Sequence, residues 1–378
     1  MTLLEAMFWS LLLAVGYVYI GYPFLLAIVT IGRRHRPAGH PSPDVTLFIP
    51  AYNEATVIRA KIENSLALAY PRGNLQILVA SDSSTDDTVH IAAEFRNNGV
   101  VLRQAPHRQG KNALINTYLP QCTGQIVVFT DANSSLGEDA IRNLVRHFGD
   151  EKIGCVVGHL KYTNEQTSVG MGESLYFRYE ALLKQLESSL GAVVTGTGAI
   201  YAMRKSLAVP LDTDIPNDLA HPVQVAAQGY KVLFDRNAVA YEAATSSARE
   251  EFERRTRIVT RGLTAFIRYT GRYRMLTGWH GFCFLSHKLL RWLIPFILIA
   301  LLLTSLFLDG QLYRVIFFGQ LAFYLAALIG TFQGSSARSK VLYVPFYFCL
   351  VNLAAFTGVL RYLLGDRRSI WEVARTTR

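Results

Sequence analysis

Four short polar stretches between residues 50 and 133 carry side chains suited to a phosphorylated, hydroxyl-rich ligand. Asp131-Ala132-Asn133 sets two oxygen-bearing side chains one residue apart, a spacing at which both can reach a hard divalent cation bridging phosphates. Asp131 is the stronger ligand, because Asn133 offers only a neutral carbonyl; an aspartate at a strand end can equally cap the next helix. Gly110-Lys111-Asn112 opens a helical stretch, where Lys111 and the helix N-terminus can meet a diphosphate. It is not a P-loop, since the GxxxxGK[ST] spacing is missing. Ser81-Asp82-Ser83-Ser84-Thr85-Asp86-Asp87-Thr88 has two readings. Asp82 can accept hydrogen bonds from a base imide or a ribose hydroxyl. The same run of Ser, Thr and Asp also starts helices by N-capping, which is the role expected of Asp86 and Asp87. Pro50-Ala51-Tyr52-Asn53-Glu54 follows an apolar run that Pro50 should end, and the residues after it can face a nucleoside.

Such loops need a frame. Residues 45–49, 75–81, 100–103 and 125–130 are short apolar runs, separated by helical stretches such as 55–69 and 87–97. Strands alternating with helices predict an α/β fold, with a mostly parallel sheet covered by helices on both faces. Right-handed crossovers then place the loops after each strand along one edge, where ligands of such sheets collect. All four polar stretches lie just past strand ends.

The rest of the chain is oily: hydrophobic residues make up 51% and charged residues 17% of the 378. Residues 7–31 run for 25 positions without a formal charge; 292–308, 315–337 and 341–360 give runs of 17, 23 and 20. A helix needs roughly 20 apolar residues to cross a bilayer, so the run from 292 must borrow from its flanks. The first run has Glu5 and no basic residue before it, which favours a retained anchor over a signal peptide. Arg33, Arg34, His35 and Arg36 follow directly. By the positive-inside rule they put the middle of the chain in the cytoplasm and the N-terminus outside, at an inner or plasma membrane. Arg338 and Lys340 fit a short inside loop, but Arg367, Arg368, Arg375 and Arg378 end up outside after four crossings. Either the last run is re-entrant or the charge rule fails there. The formal charge of +10 gathers beside these runs, at 33–36, 254–274 and 361–378. That placement suits anionic lipid headgroups and argues against a nucleic-acid partner. Cys122, Cys155, Cys283 and Cys349 have no metal-ligand spacing and are read as reduced, structural thiols.

Together these loops resemble glycosyltransferase family 2, whose GT-A domain binds a nucleotide sugar. The match lies in PxYNE at 50–54, the SDGSTDGT-like loop at 81–88, GKN at 110–112 and a DxD-like DAN at 131–133, in the family's order. Further on, Gly196-Thr197-Gly198-Ala199-Ile200-Tyr201 looks like the family's acceptor loop, and Asn217-Asp218-Leu219 like its (E/D)D motif. The resemblance implies Asp218 as catalytic base, Asp131 and Asn133 on Mn2+ or Mg2+, and Gly196, Thr197 and Gly198 against the acceptor. It implies Pro50, Ala51, Tyr52, Glu54, Asp82, Lys111 and Arg257 against the donor. Arg254-Arg255-Thr256-Arg257-Ile258 stands where many membrane members have QxxRW, and matches only in basic character. A headgroup-facing helix is the other reading of that cluster. His221, three residues past Asp218, is a structural histidine or an extra metal ligand.

The expected organisation is an anchor at 1–32, a linker at 33–44, a GT-A domain at 45–262, interfacial amphipathic helices at 263–291, three spans at 292–364 and a basic tail at 365–378. The expected function is inverting, metal-dependent transfer of a sugar from a UDP-sugar donor. The acceptor would be a growing exopolysaccharide or a polyprenyl-diphosphate-linked oligosaccharide at the cytoplasmic face. A processive synthase that extrudes its polymer is the alternative, similar to cellulose, hyaluronan and chitin-oligosaccharide synthases; a non-catalytic scaffold is a third. Membrane lipids are expected partners, and export or polymerisation subunits are candidates.

Overall fold

A computed structural model describes residues 2–33, 35, 37, 39, 42–163, 168–244, 247–273, 276–332 and 340–365. Arg34, Arg36, Arg274, Arg338 and the tail arginines Arg367, Arg368, Arg375 and Arg378 lie outside the described residues.

Strands β1 (Val45–Ala51), β2 (Leu75–Ser81), β3 (Val100–Gln104) and β4 (Ile126–Phe129) fall where the apolar runs predict them. Four more complete one sheet: β5 (Ser135–Leu136), β6 (Ile153–Tyr162), β7 (Tyr201–Arg204) and β8 (Lys231–Glu242), in the order β3-β2-β1-β4-β7-β6-β8-β5. Neighbours from β3 to β4 are parallel. β7 is antiparallel to both β4 and β6, β8 is parallel to β6, and β5 is antiparallel to β8. The sheet is therefore mixed, parallel where the sequence motifs sit.

Pro50 does not end β1, which runs on to Ala51. Pairing with β4 stops at Phe48, while pairing with β2 continues through Pro50 and Ala51. Past Phe48 the strand has a free side, so a residue without an N–H is tolerated there.

Every residue of β1 is buried, as expected for a strand covered on both faces. Its side chains alternate between two cores. Val45, Leu47 and Ile49 pack with Ile58, Ile62, Ala92 and Ile141 on one face. Phe48 packs on the other face with Leu114, Ile115, Leu219 and Val223, in a core that also takes in Tyr22, Leu26, Trp292 and Ala355 from the apolar helices. One face of the sheet thus shares its core with the membrane region.

Among the described residues four helices are long and apolar enough to cross a membrane: Leu3–Val29, Gly278–Phe307, Gln311–Phe332 and Leu342–Leu363. The second does borrow from its flank, starting 14 residues before Trp292 and passing through a π-helical turn at Leu285–Leu289. The last is one unbroken helix rather than a re-entrant loop. Between sheet and spans lies a continuous helix, Ala248–Tyr273, which crosses the expected boundary at 262. Its buried positions include 251, 255, 256, 259, 260 and 263, a spacing of three and four that lays one face against the protein. The expected interfacial stretch is therefore the end of this helix plus the start of the second span.

Candidate active site

The loops after β1 and β2 hold each other. Asn53 and Ser83 adopt left-handed backbone, at φ 52° and 57°. Asn53 N–H donates to Ser84 Oγ at 3.1 Å and Thr85 N–H donates to Asn53 Oδ1 at 2.8 Å. Glu54 N–H donates to Thr88 Oγ1 at 2.7 Å, and Ala55 N–H to Asp86 Oδ2 at 3.1 Å. Asp86 also accepts from Thr88 N–H at 3.1 Å, so it pins the turn into the helix Thr88–Glu94. Asp87 is the N-cap residue of that helix but makes no side-chain cap bond.

Asp82 is fully buried, and its two oxygens accept the backbone N–H groups of Gln109 and Gly110, each at 2.8 Å. The side chain thus shapes the turn that presents Lys111; each oxygen keeps a lone pair for a further donor. The Arg108 guanidinium lies 4.0 Å over the Tyr52 ring. Pro50 and Ala51 are buried strand residues at the root of this assembly, with Glu54 beside them.

Lys111 Nζ reaches Asp131 Oδ1 at 2.5 Å. Gly198 is packed so closely that a Cβ there would lie 2.4 Å from Asp131 Oδ2. Gly196 N–H donates to the Asp218 carbonyl at 2.6 Å, and a Cβ on Gly196 would lie 3.0 Å from the same oxygen. The glycine loop is therefore wedged between the two aspartates, and no larger residue fits at 198 without moving Asp131. Asp218 occupies the first turn of the helix Asn217–Ala227. The segment leading to it is tied from two sides. Asn112 Nδ2 donates to the carbonyls of Asp212 and Ile215 at 2.6 and 2.5 Å. Arg268 grips Asp214 with two bonds of 2.6 and 2.8 Å, and Arg261 Nε donates to the Asp214 carbonyl at 3.1 Å.

These contacts border a cavity of about 820 Å3. Asp131, Gly196, Thr197, Gly198 and Asp218 line one end; Lys288, Arg291, Tyr347 and Asn352 of the membrane helices line the other. Lys111 joins it through Asp131, and Asp82 through the turn before Lys111. Asn133 is half-buried in the turn after Asp131 and does not line this cavity, nor do Pro50, Ala51, Tyr52 and Glu54.

With that geometry in place, the relatives of the chain can be read. Residues 46–207 match the sequence family described as Glycosyl transferase family 2. They form a family 2 glycosyltransferase domain. The chain is 28% identical over 57% of its length to "Probable glycosyltransferase YdaM" of Bacillus subtilis (strain 168), covering 54% of that protein. It is 26% identical over 52% of its length to the "Poly-beta-1,6-N-acetyl-D-glucosamine synthase" of Staphylococcus aureus (strain COL), covering 49% of it. The chain thus spans about half the length of the curated relatives it matches. In three dimensions it resembles the mannosyltransferase PcManGT from Pyrobaculum calidifontis, solved with GDP-Man and Mn2+. The TM-score is 0.71 at 21% identity, covering 96% of this chain and all of that one. The likeness thus takes in the helical region as well as the GT-A sheet.

The transferase domain suits a hard divalent cation by its donors. Asp131 is a carboxylate already paired with a cation, Asn133 offers a carbonyl oxygen in the same turn, and Gly198 leaves Asp131 its space. His221 is not placed as a ligand. Its Nδ1 bonds Tyr201 Oη at 2.8 Å, and Asn217 Nδ2 donates to the same hydroxyl at 2.6 Å. Burial, with help from Lys111, lowers its pKa to about 3, so it stays neutral between Phe129 and Tyr201.

Three titratable groups beside the site carry no sequence signal. Lys61 is buried on the helix Ile58–Leu66, donating to Thr130 Oγ1 at 2.7 Å and the Ser134 carbonyl at 2.6 Å. Burial lowers its pKa to about 7. Glu242 ends β8, accepts from Ser134 Oγ at 2.5 Å and lines the cavity; burial and then the Asp131 charge raise its pKa. Lys184, on the helix Ser168–Ser189, donates to the Gly196 carbonyl at 3.2 Å. Burial, with the Lys288 charge, lowers its pKa to about 8.

The arginine cluster splits. Arg254 and Arg255 line the cavity, while Arg257 is half-buried off it. Arg255 is 7% exposed and does not face headgroups. It pairs with buried Glu251 at 2.7 Å and donates to Tyr347 Oη of the last span at 3.0 Å. Burial raises the Glu251 pKa, but Arg254 and Arg255 overcome that and hold it below the ordinary carboxylate range.

Proposed function

We propose that the chain is an inverting glycosyltransferase. It moves a sugar from a nucleotide donor, UDP-linked by expectation, to a growing exopolysaccharide or a polyprenyl-diphosphate-linked oligosaccharide. The observation that carries this is the wedge of Gly196–Gly198 between Asp131 and Asp218 at the end of a cavity that continues into the membrane helices. Asp218 takes the proton of the acceptor hydroxyl as its oxygen attacks the anomeric carbon, and the nucleotide leaves from the opposite face. Lys111, with the N-terminus of its helix, stabilises the diphosphate. Mn2+ or Mg2+ held by Asp131 and Asn133 would add positive charge against the departing diphosphate. Pro50, Ala51, Tyr52, Glu54 and Asp82 frame the nucleoside, and Arg257 supports the diphosphate. Gly196, Thr197 and Gly198 border the acceptor. The Pyrobaculum calidifontis mannosyltransferase holds GDP-Man and Mn2+ on the same fold, which supports a nucleotide sugar and a divalent cation here.

The basic residue at 33 and those after it favour a cytoplasmic catalytic domain with the N-terminus outside. A processive synthase is the second reading. The similarity to the staphylococcal poly-beta-1,6-N-acetyl-D-glucosamine synthase favours it; Arg254-Arg255-Thr256-Arg257-Ile258, which has neither the glutamine nor the tryptophan of QxxRW, counts against it.

The test is nucleotide release from a panel of UDP- and GDP-sugars by the full chain in lipid, with Mn2+ or Mg2+ and the products sized. Release with one added sugar supports the main reading and a polymer ladder the second. Donor binding without release would point to a missing acceptor or to the non-catalytic scaffold, and release unaffected by Asp218→Asn would contradict Asp218 as the base.

A further inference from the structure

We infer that the acceptor is a membrane amphiphile with a phosphate or diphosphate head, entering sideways from the bilayer between the helix Ser168–Ser189 and the last span. This rests on the sugar-transfer reading and chooses between its two acceptors.

The cavity mouth is largely apolar, with Arg178 the exposed cation among its lining residues. Leu175 and Leu182 on the helix Ser168–Ser189, Ile258 on Ala248–Tyr273 and Val344 on the last span all line it. They are also 48%, 51%, 46% and 40% exposed. Large aliphatic groups from three helices around one opening suit hydrocarbon better than water. Leu175 and Leu182 are two turns apart, on one face of their helix.

The cavity behind that mouth is cationic. Among the described residues five basic side chains line it, Lys184, Arg254, Arg255, Lys288 and Arg291, against the carboxylates Asp131, Glu180, Asp218 and Glu242. Asp131, Asp218 and Glu242 belong to the catalytic end, which leaves Glu180 alone among the lining groups toward the membrane. Glu180 is met by Lys288 at 2.9 Å, by Arg291 and by His287. Two further carboxylates behind the wall are also engaged. Glu187 is bound by Tyr22 Oη at 2.8 Å and His287 Nδ1 at 2.6 Å, and Glu251 by Arg254 and Arg255.

Lys288 and Arg291 share one carboxylate, and Arg254 and Arg255 share another, so with Lys184 the cations of this end outnumber their partners and leave a place for an anion. Lys184 is the group closest to the chemistry, since the carbonyl it bonds belongs to Gly196, whose N–H bonds Asp218. A phosphate oxygen held by Lys184 puts the sugar attached to that phosphate beside the base, with the tail leaving past Leu182 and Val344. A soluble anionic glycan has no use for the apolar mouth. A neutral polymer has no use for the cations.

The test uses the full chain in phosphatidylcholine nanodiscs containing dodecyl phosphate with a diazirine in its tail. After photolysis, labels mapped by mass spectrometry should gather at Leu175, Leu182, Ile258 and Val344. Labelling there should exceed that of the helix Gln311–Phe332 by about tenfold, the value of one charge-assisted hydrogen bond. Lys184→Met should remove that preference and Lys184→Arg should keep it. Leu182→Gln, an exposed change that needs no refolded core, should reduce labelling at the remaining mouth positions. Equal labelling by a choline-headed probe would overturn the anionic head. Full competition by soluble glycerol phosphate, with no effect of Leu182→Gln, would overturn the membrane source. Nucleotide release is read alongside in discs that also carry a sugar linked to dodecyl diphosphate as acceptor. Its absence in wild type, with donor bound and labelling intact, contradicts sugar transfer and leaves the lipid site standing.

Discussion

The nucleotide loops and the membrane end of the cavity are held by different forces. Around Asp82, side chains and backbone of neighbouring parallel strands exchange neutral or singly charged bonds, such as Thr85 N–H to Asn53 and Gly110 N–H to Asp82. At the other end buried charges carry the bonds: Glu180 pairs with Lys288 and Arg291 from a helix about a hundred residues away, and Glu251 pairs with Arg255 on its own helix and accepts the Tyr347 hydroxyl of the last span. Loops over a sheet edge can be set by local turn chemistry and keep their shape when one bond is lost. Buried charges are stable only as complete sets, because removing one partner strands the other in a low dielectric. Where the two schemes meet, at Gly196–Gly198, the limit is steric. The two ends should therefore fail differently under mutation.

The largest effect is expected at the junction. Asp131→Ala should lower turnover by roughly a thousandfold, as loss of charge stabilisation at a reacting diphosphate does. It should also weaken Mn2+ binding measured by electron paramagnetic resonance, with thermal stability close to wild type. Wild-type turnover would reassign Asp131 to structure.

Glu251→Gln probes the membrane end. It leaves Arg255 without its carboxylate and should cost about 3–5 kcal/mol of stability, read from thermal unfolding in detergent. Donor affinity should stay within a factor of two. A variant as stable as wild type would erase the contrast between the two ends.

Gly198→Ala tests the steric limit. Its Cβ would lie 2.4 Å from Asp131 Oδ2, so the carboxylate must shift. Turnover should fall by about a hundredfold from a displacement near 1 Å, with the fold intact by circular dichroism. Unchanged turnover would mean the loop has room to spare.

The smallest effect is a pH dependence. Lys61 has a pKa of about 7 in the folded protein, well below its ordinary value, because it is buried. Between those two values the unfolded chain binds the extra proton, so folding stability rises with pH there and the burden is full below pH 7. Melting temperatures should climb for wild type from pH 7 to pH 10 relative to Lys61→Met. Parallel curves would show that Lys61 remains charged when folded.

The same contrast explains what could be read from sequence. The loops at 50–54, 81–88, 110–112 and 131–133 were legible because each follows an apolar run, and β1 to β4 bring those runs side by side. β5 is two residues, too short for a periodic signal, although it forms the edge of the sheet beside β8. The capping role expected of Asp86 appears in its bonds to Thr88 and Ala55. Asn112 read as part of a phosphate motif, yet its side chain ties down the segment before Asp218. Lys61, Lys184 and Glu242 were invisible because their meaning comes from tertiary burial. The span from Gly278 was cut short for a related reason. His287, Lys288 and Arg291 break its apolar pattern, and only their partners Glu180 and Glu187, about a hundred residues earlier, make those charges tolerable in a membrane helix.

The central claim is that Asp218 removes the acceptor proton at the junction of the two ends. The most direct test compares wild type and Asp218→Asn in the same lipid, with donor affinity and single-turnover transfer measured on one sample. Transfer should fall by roughly a hundred- to ten-thousandfold while donor affinity is kept, the signature of a lost general base. Equal transfer rates in the two proteins would contradict it.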